Sequence, residues 1–164
     1  MTQSTPYQPD PKLDLVLERV TDVAPELVWI AWTTPELLVK WFTPAPWKTV
    51  KVELDLYPGG QFHTTMESPE GQQFPNTGCV LEVVEGKKFV WTGALLPGFR
   101  PNPAAFEQFA MSVIILIEPE GEGTKYTAIA IHSDEEGAQK HEAMGFSVGW
   151  GAAFDQLVAL AKTL

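Results

Sequence analysis

Three successive acidic residues, Asp134, Glu135 and Glu136, are of a type that could perform acid–base chemistry. Two carboxyl groups divide the roles of general acid and general base only when their surroundings separate their pKa values. These three follow Ser133, and an acidic run behind a serine is typical of the solvated first turn of a helix. We therefore predict a helix start here and no catalytic pair.

The three histidines are spaced poorly for a metal site. His132 and His141 lie nine positions apart, whereas ligands on one helical face lie three or four positions apart. His63 belongs to a different predicted strand. The sequence therefore predicts no bound metal.

Serine nucleophiles and phosphate loops are also not indicated. No serine has the Gly-x-Ser-x-Gly setting of a hydrolase nucleophile; the serines considered are Ser112, Ser133 and Ser147. The segment "YPGGQ" leads into a strand, whereas phosphate-binding loops lead into a helix N-terminus. We expect no catalytic residue and no cofactor.

What remains is a set of large, mostly apolar side chains on predicted elements that could surround a small molecule. Alternation along the strands places many of them on one sheet face. The residues predicted to contact such a molecule are Phe62, Met66, Trp91, Leu95, Phe99, Phe109, Met111, Tyr126, His132, Met144 and Trp150. Plain core packing is the alternative for each. Tyr126, His132 and Glu82 would orient a bound molecule if they face inward.

The elements that must position these residues follow from hydrophobic spacing. A strand is predicted at residues 13–20, and two short helices follow, with Pro25 and Pro35 in their first turns. Leu27, Ile30 and Ala31 are predicted to share the buried face of the first helix. About six strands with alternating apolar residues come next and form an antiparallel meander.

The closing stretch "HEAMGFSVGWGAAFDQLVALAKTL" predicts a long amphipathic helix over about residues 144–164. Its apolar stripe comprises Phe146, Trp150, Ala153, Phe154, Leu157, Leu160, Ala161 and Leu164. Its first half also holds Gly145, Gly149 and Gly151. Because each glycine inside a helix costs about 1 kcal/mol relative to alanine, we expect this half to pack loosely and leave a gap beside Trp150.

Composition restricts the class of protein. The chain has 164 residues, 45% of them hydrophobic, and a net charge of -10, which disfavours nucleic acid as a partner. The single cysteine, Cys79, excludes an internal disulfide. We expect a flexible tail at residues 1–12, one domain at 13–164, no membrane segment and a cytoplasmic location.

Four segments in order resemble one known family. These are "APELVWIAWTTPELLVKWFTP", "DLYPGGQF", "GCVLEVVEGKKFVWT" and "GWGAAFDQLVAL". They resemble the START-like, SRPBCC superfamily and, within it, domains similar to the activator of the heat-shock-protein-90 ATPase. The resemblance implies an α+β helix-grip fold, similar to that of Bet v proteins, in which a curved antiparallel sheet wraps around the last helix and leaves an apolar cavity.

Two classes of function follow from these observations and the resemblance. The first is non-enzymatic binding of a small apolar or aromatic molecule in the cavity. The second is an enzyme similar to polyketide cyclases or aromatases, which the superfamily contains, and a co-chaperone acting on a heat-shock-protein-90-type ATPase is a further alternative. An enzyme needs a positioned acid or base with a perturbed pKa, whereas a binding protein needs only shape. The candidates for such a group are few, and we favour binding.

Two surface features complete the predictions. The segment "ALLPGFRPNPAAFE" has the length and prolines of a loop that covers a cavity mouth as a movable lid, although an inert insertion is the alternative. Strand alternation also turns four aliphatic residues outward: Ile114, Leu116, Ile129 and Ile131. We expect this patch to be covered by a second copy in a homodimer, by the N-terminal tail, or to remain exposed.

Overall fold

Alternating apolar residues build one large sheet in the computed structural model, which describes residues 7–105 and 110–164. The strands are β1 (Asp14–Thr21), β2 (Lys48–Leu54), β3 (Gln61–Glu67), β4 (Gln73–Val84), β5 (Lys88–Thr92), β6 (Leu95–Leu96), β7 (Arg100–Pro101), β8 (Ser112–Glu120) and β9 (Gly123–Ile131). Seven of them form an antiparallel sheet in the order β1-β9-β8-β5-β4-β3-β2, and β6 pairs with β7 separately. The predicted meander is confirmed.

Two short helices connect the opposite edges of this sheet. They are α1 (Pro25–Thr33) and α2 (Pro35–Trp41), and each begins with the expected proline, whose missing N–H costs nothing in a first turn. The predicted buried face of α1 is wrong at Ile30, which is 42% exposed, while Val28 and Trp32 are buried. The bulky indoles of α1 decide which face turns inward, because burying an aromatic ring removes more apolar surface from water than burying Ile30.

The chain closes with two helices, α3 (Glu135–Ala143) and α4 (Phe146–Ala161). Asp134 caps α3 by accepting a hydrogen bond from the Gly137 amide at 2.7 Å, so the predicted helix start is confirmed. The stripe of α4 is also buried through most of its length, with Leu157 completely inaccessible. Leu164 is the exception at 51% exposed, because the helix ends before it.

The core lies between the concave face of the sheet and α4. Val113, Ile115 and Ile117 of β8 contribute to it, and the intervening Ile114 points to the convex face. The expectation that Ile114 and Ile129 are exposed there is wrong, since they are 7% and 3% exposed. They lie opposite each other, and Val16 lies opposite Ile129, so neighbouring side chains along this row cover one another.

The described part of the N-terminal segment packs against β1. The Tyr7 hydroxyl donates a hydrogen bond to the Asp14 carboxylate, and the Asp10 amide donates to the same group at 2.8 Å. Burial and this contact with Asp14 raise the pKa of Tyr7 to about 12. Residues 1–6 lie outside the described residues, so the extent of the predicted tail stays a prediction.

Candidate functional site

A cavity of about 750 Å³ lies where the sheet, the α1–α2 pair and the start of α4 meet. This volume falls within the range of small-molecule sites, about 300–1,000 Å³. Trp32, Trp41 and Phe62 form buried parts of its wall, whereas Met144 is 69% exposed. The cavity is therefore deep and apolar on one side and reaches solvent near Met144.

Aromatic rings in edge-to-face contact form the deep wall. Trp32 contacts Trp41 with ring centroids 5.0 Å apart and Phe42 at 5.7 Å. Phe42 continues to Phe62 at 5.8 Å, and Phe62 to Trp91 at 4.9 Å. Such edge-to-face contacts are a preferred packing of aromatic rings, and the apolar surface that they form suits an aromatic or aliphatic ligand.

The glycines of α4 open the helix side of the cavity. Gly145 is the residue before the helix and has φ +92°, a conformation that favours glycine. Gly149 lies one turn later in the cavity wall, and no described atom other than its own helix backbone and chain neighbours is within 4 Å of a Cβ placed there. A Cβ at Gly151 would instead lie 3.2 Å from Arg19 Nη2. The segment predicted to pack loosely, Gly145 to Gly151, thus has open space at Gly149 and a close contact at Gly151.

Tyr126 is the most deeply placed polar residue of the described wall. Its side chain is 2% exposed, stacks on Phe154 at a centroid distance of 4.3 Å, and accepts a hydrogen bond from Trp32 Nε1 at 3.0 Å. Burial raises the pKa of the Tyr126 phenol above its usual value. The hydroxyl therefore stays protonated. In its contact with Trp32 the hydroxyl oxygen accepts, so the hydroxyl hydrogen is not used there.

A pair of histidines lies between the cavity and β1. His132 Nδ1 donates to the Leu13 carbonyl at 2.8 Å, and His132 Nε2 lies 2.9 Å from Nδ1 of His141, which lines the cavity. Because a carbonyl only accepts, His132 Nδ1 must carry a hydrogen in its contact with Leu13. Burial and the neighbouring His132 lower the pKa of His141 to about 4. At neutral pH His141 is therefore uncharged.

The cavity brings most of the predicted contact residues together. Those that line it are Phe62, Met66, Trp91, Met111, Tyr126, Met144 and Trp150. They come from β3, β5, β9, the segment before β8 and the start of α4. Their contact with a ligand stays a prediction, but their common location is a property of the fold.

Three predicted contact residues lie outside the described lining, for identifiable reasons. Leu95 pairs with Pro101 in the small hairpin. The half-exposed Phe99 packs its ring against Gly59, where an added Cβ would lie only 2.9 Å from the ring. His132 is directed to Leu13 and His141.

Two further candidates complete the account of the predicted site. Glu82 points to solvent and forms an ion pair with Lys88 at 3.0 Å, so its carboxylate does not face the cavity and cannot orient a molecule bound there. Phe109 lies outside the described residues. Among the residues that the structure describes, no group of three or more His, Cys, Asp or Glu side chains could hold a metal ion.

Several wall residues are absent from the sequence-based prediction. The aromatic ones are Trp32, Trp41 and Phe42, and the polar ones include Thr64, Asn76, Asn102 and His141. A signal for the first group was present, since three aromatic residues on a short helix pair exceed what one helical face needs for packing. Nothing in the spacing of His132 and His141 indicated that the histidines would touch.

The predicted lid consists of two different parts. Its hairpin tip is fixed, because the Gly98 amide donates to the Gly59 carbonyl at 2.7 Å. The following part lines the cavity through Asn102, Ala104 and Ala105. In this part Asn102 Nδ2 donates a hydrogen bond to the Gly93 carbonyl at 3.0 Å. Any movement of the lid is thus expected beyond the tip.

No helix in the described ranges is both long and apolar enough to span a membrane.

Solved structures share the fold closely. Protein NE0264 from Nitrosomonas europaea is 45% identical, with a TM-score of 0.89 over 94% of this chain and 97% of that one. Protein Ms6760 from Mycobacterium smegmatis is 23% identical, with a TM-score of 0.75 over 91% and 90%, and a Rhodobacter sphaeroides protein is 19% identical, with 0.81 over 96% and 97%.

Comparison with curated proteins finds no match. The family described as "Activator of Hsp90 ATPase homolog 1-like protein" matches residues 22–162, which include both short helices, six strands of the large sheet and α4. This range also contains every described residue of the cavity wall. The resemblance of the four sequence segments is thereby confirmed, and the chain belongs to the family of Activator of Hsp90 ATPase homolog 1-like proteins.

Proposed function

We propose that this protein binds a small, largely apolar molecule in the cavity and catalyses no reaction on it. The observation that carries the proposal is the open space beside Gly149 within an aromatic wall. An unfilled cavity costs stability in proportion to its volume, and a glycine inside a helix costs about 1 kcal/mol more. A bound molecule that fills the space offsets both costs.

The chemistry of the wall favours binding over catalysis. A general acid or base works best with a pKa near the operating pH. The pKa of Tyr126 is raised and that of His141 is lowered to about 4, so both remain neutral at pH 7. The two other candidates for acid–base work, His132 and Glu82, are not among the described wall residues. A cyclase or aromatase reaction is therefore less well supported.

A co-chaperone role has less support from the geometry than a binding role. The name of the family refers to activation of an ATPase, and such an activity would act through the protein surface. The cavity, in contrast, is internal. Residues of both short helices, of β3, β4, β5 and β9, and of α3 and α4 contribute to its wall. We therefore place the function in the cavity.

Binding can be tested with N-phenyl-1-naphthylamine, an uncharged probe whose fluorescence rises in apolar surroundings. We expect saturable enhancement with one site per chain, and its loss in Gly149→Phe, whose ring would occupy the open space. Gly151→Ala provides the matched control on the same helix outside the described wall. Equal enhancement in both variants would place the probe elsewhere and contradict the proposal.

Identification of the natural ligand needs a second experiment. Native mass spectrometry of freshly purified protein, followed by solvent extraction, would reveal a co-purified molecule as added mass. We expect the added mass to disappear in Gly149→Phe when that variant is expressed in the same host.

A further inference from the structure

The deepest polar group of the cavity has a hydrogen to donate. A tyrosine hydroxyl can donate one hydrogen bond and accept others, whereas an indole N–H only donates. Trp32 Nε1 donates to the Tyr126 oxygen at 3.0 Å, so this contact does not use the Tyr126 hydrogen. Among the described residues, no other side chain or carbonyl hydrogen-bonds to Tyr126. An acceptor from a ligand would complete the arrangement.

A second wall residue, Trp91, also presents a hydrogen-bond donor to the cavity. Trp91 Nε1 is buried and has no hydrogen-bond partner in the part of the chain that the structure describes. Trp91 lies at the opposite end of the aromatic wall from Tyr126, next to Phe62. Buried donors are nearly always paired in folded proteins, so an orphaned indole N–H in a cavity wall needs an acceptor. Both buried groups can thus donate to oxygen or nitrogen lone pairs of a ligand.

The described wall holds no Lys or Arg side chain that could pair with a negative charge. Residues 1–6 and 106–109 also contain neither type in the sequence. His141, the one basic side chain of the described wall, has its pKa lowered to about 4 and is neutral at pH 7. With a net charge of -10, the whole protein also repels anions. A buried carboxylate would remain unpaired, which is strongly unfavourable.

We propose that, if the cavity binds a ligand as proposed above, it selects uncharged aromatic molecules that carry an acceptor oxygen, such as aryl ketones. The Tyr126 hydroxyl donates its hydrogen to that oxygen, and the Trp32 indole holds the hydroxyl in position by donating to its oxygen. Carboxylic acids of the same shape are rejected because their charge finds no partner.

Three biphenyls of similar shape separate these requirements. 4-Acetylbiphenyl carries the acceptor, 4-isopropylbiphenyl replaces the carbonyl oxygen by a methyl group, and biphenyl-4-carboxylate carries a charge. Equilibrium dialysis at pH 7.5 gives the three dissociation constants. We expect both neutral compounds to bind, and the carboxylate to bind about a hundredfold more weakly than the ketone.

Tyr126→Phe then tests the hydrogen bond. It should weaken binding of the ketone about three- to tenfold and change binding of the hydrocarbon by less than twofold. Trp32→Phe keeps the Tyr126 hydroxyl but removes the indole that positions it, so the difference between the two ligands should shrink without disappearing. An infrared measurement on the wild-type complex needs no variant: the C=O stretching frequency of bound ketone should lie below its value in hexane.

The outcomes distinguish this inference from the proposed function. If neither neutral compound binds, the cavity function fails and the inference fails with it. If both bind but Tyr126→Phe affects them equally, or the carbonyl frequency equals that in hexane, the function stands and donation by Tyr126 is refuted. Binding of the carboxylate as tight as that of the ketone would refute charge exclusion in the same way.

Discussion

Replacement of Gly149 by alanine should make the protein more stable, which is unusual for a substitution in a helix that packs against the core. A Cβ there meets no described atom beyond its own helix backbone and neighbours within 4 Å, so the methyl group neither clashes nor gains contacts. What remains is helix propensity, about 1 kcal/mol in favour of alanine. For a domain of this length that corresponds to a rise in Tm of about 2–4 °C.

The same position should control ligand binding. Gly149→Leu extends a side chain into the cavity, and we expect at least about a tenfold weaker dissociation constant for N-phenyl-1-naphthylamine, since shape governs entry to such sites. Stability should not fall, because the new side chain buries apolar surface in unfilled space. Stability and affinity would thus change in opposite directions at one residue.

Gly151→Ala separates this effect from helix propensity. It also gains propensity, but its Cβ would lie 3.2 Å from Arg19 Nη2 and outside the described cavity wall. We expect unchanged probe binding. Calorimetry and fluorescence titration of the three variants suffice as assays. A lower Tm for Gly149→Ala, or wild-type affinity in Gly149→Leu, would refute the claim that this glycine is retained for space.

Three further predictions concern the helix, the histidine pair and the lid. The circular dichroism spectrum of Leu157→Asp should be that of an unfolded protein, because the substitution buries an unpaired charge. Leu164→Asp, at a site 51% exposed, should melt like the parent. Similar melting of both variants would contradict the assignment of Leu157 to the core. The pKa of His141 is lowered from 6.5 to about 4, so the unfolded chain binds more protons between these values and the free energy of unfolding falls as pH decreases through that window. His141→Asn should remove about 2 kcal/mol of this dependence between pH 7 and 4.5 in urea denaturation, and an unchanged slope would exclude His141 as its source. Hydrogen exchange at the Asn102 and Ala105 amides should slow when an apolar ligand binds, with no change at the fixed Gly98, and identical exchange in both states would remove the lid.

The order of elements was predictable because each carries a local signal. Alternation gave the strands, Pro25 and Pro35 marked two helix starts, and the acidic run at Asp134 marked a third. The helical face of α1 was not predictable in the same way. A periodicity argument treats Ile30 and Trp32 as equal apolar residues, whereas packing selects the larger indole when only one can face the sheet.

The candidate site was predictable in part for a related reason. Strand parity determines which residues share a face, so Phe62, Met66 and Trp91 were placed together correctly. Parity does not show how far a loop reaches or which side of a hairpin turns inward, and Leu95 and Phe99 lie outside the described wall on that account. The contact of His132 with His141 depends on how α3 docks against β1 and α4, a tertiary arrangement without a sequence signal.

The glycines of the last helix connect the sequence to the function most directly. Gly145 is explained by its backbone, since φ is +92°, and Gly151 by the close approach of Arg19. Gly149 has neither explanation: its φ is not positive, and the space for a Cβ is open. A residue that lowers stability and relieves no steric conflict is expected where empty volume is itself useful. Its place in the same wall as a tyrosine with a hydrogen to donate is therefore the strongest reason to regard the cavity as a binding site and not as a packing defect.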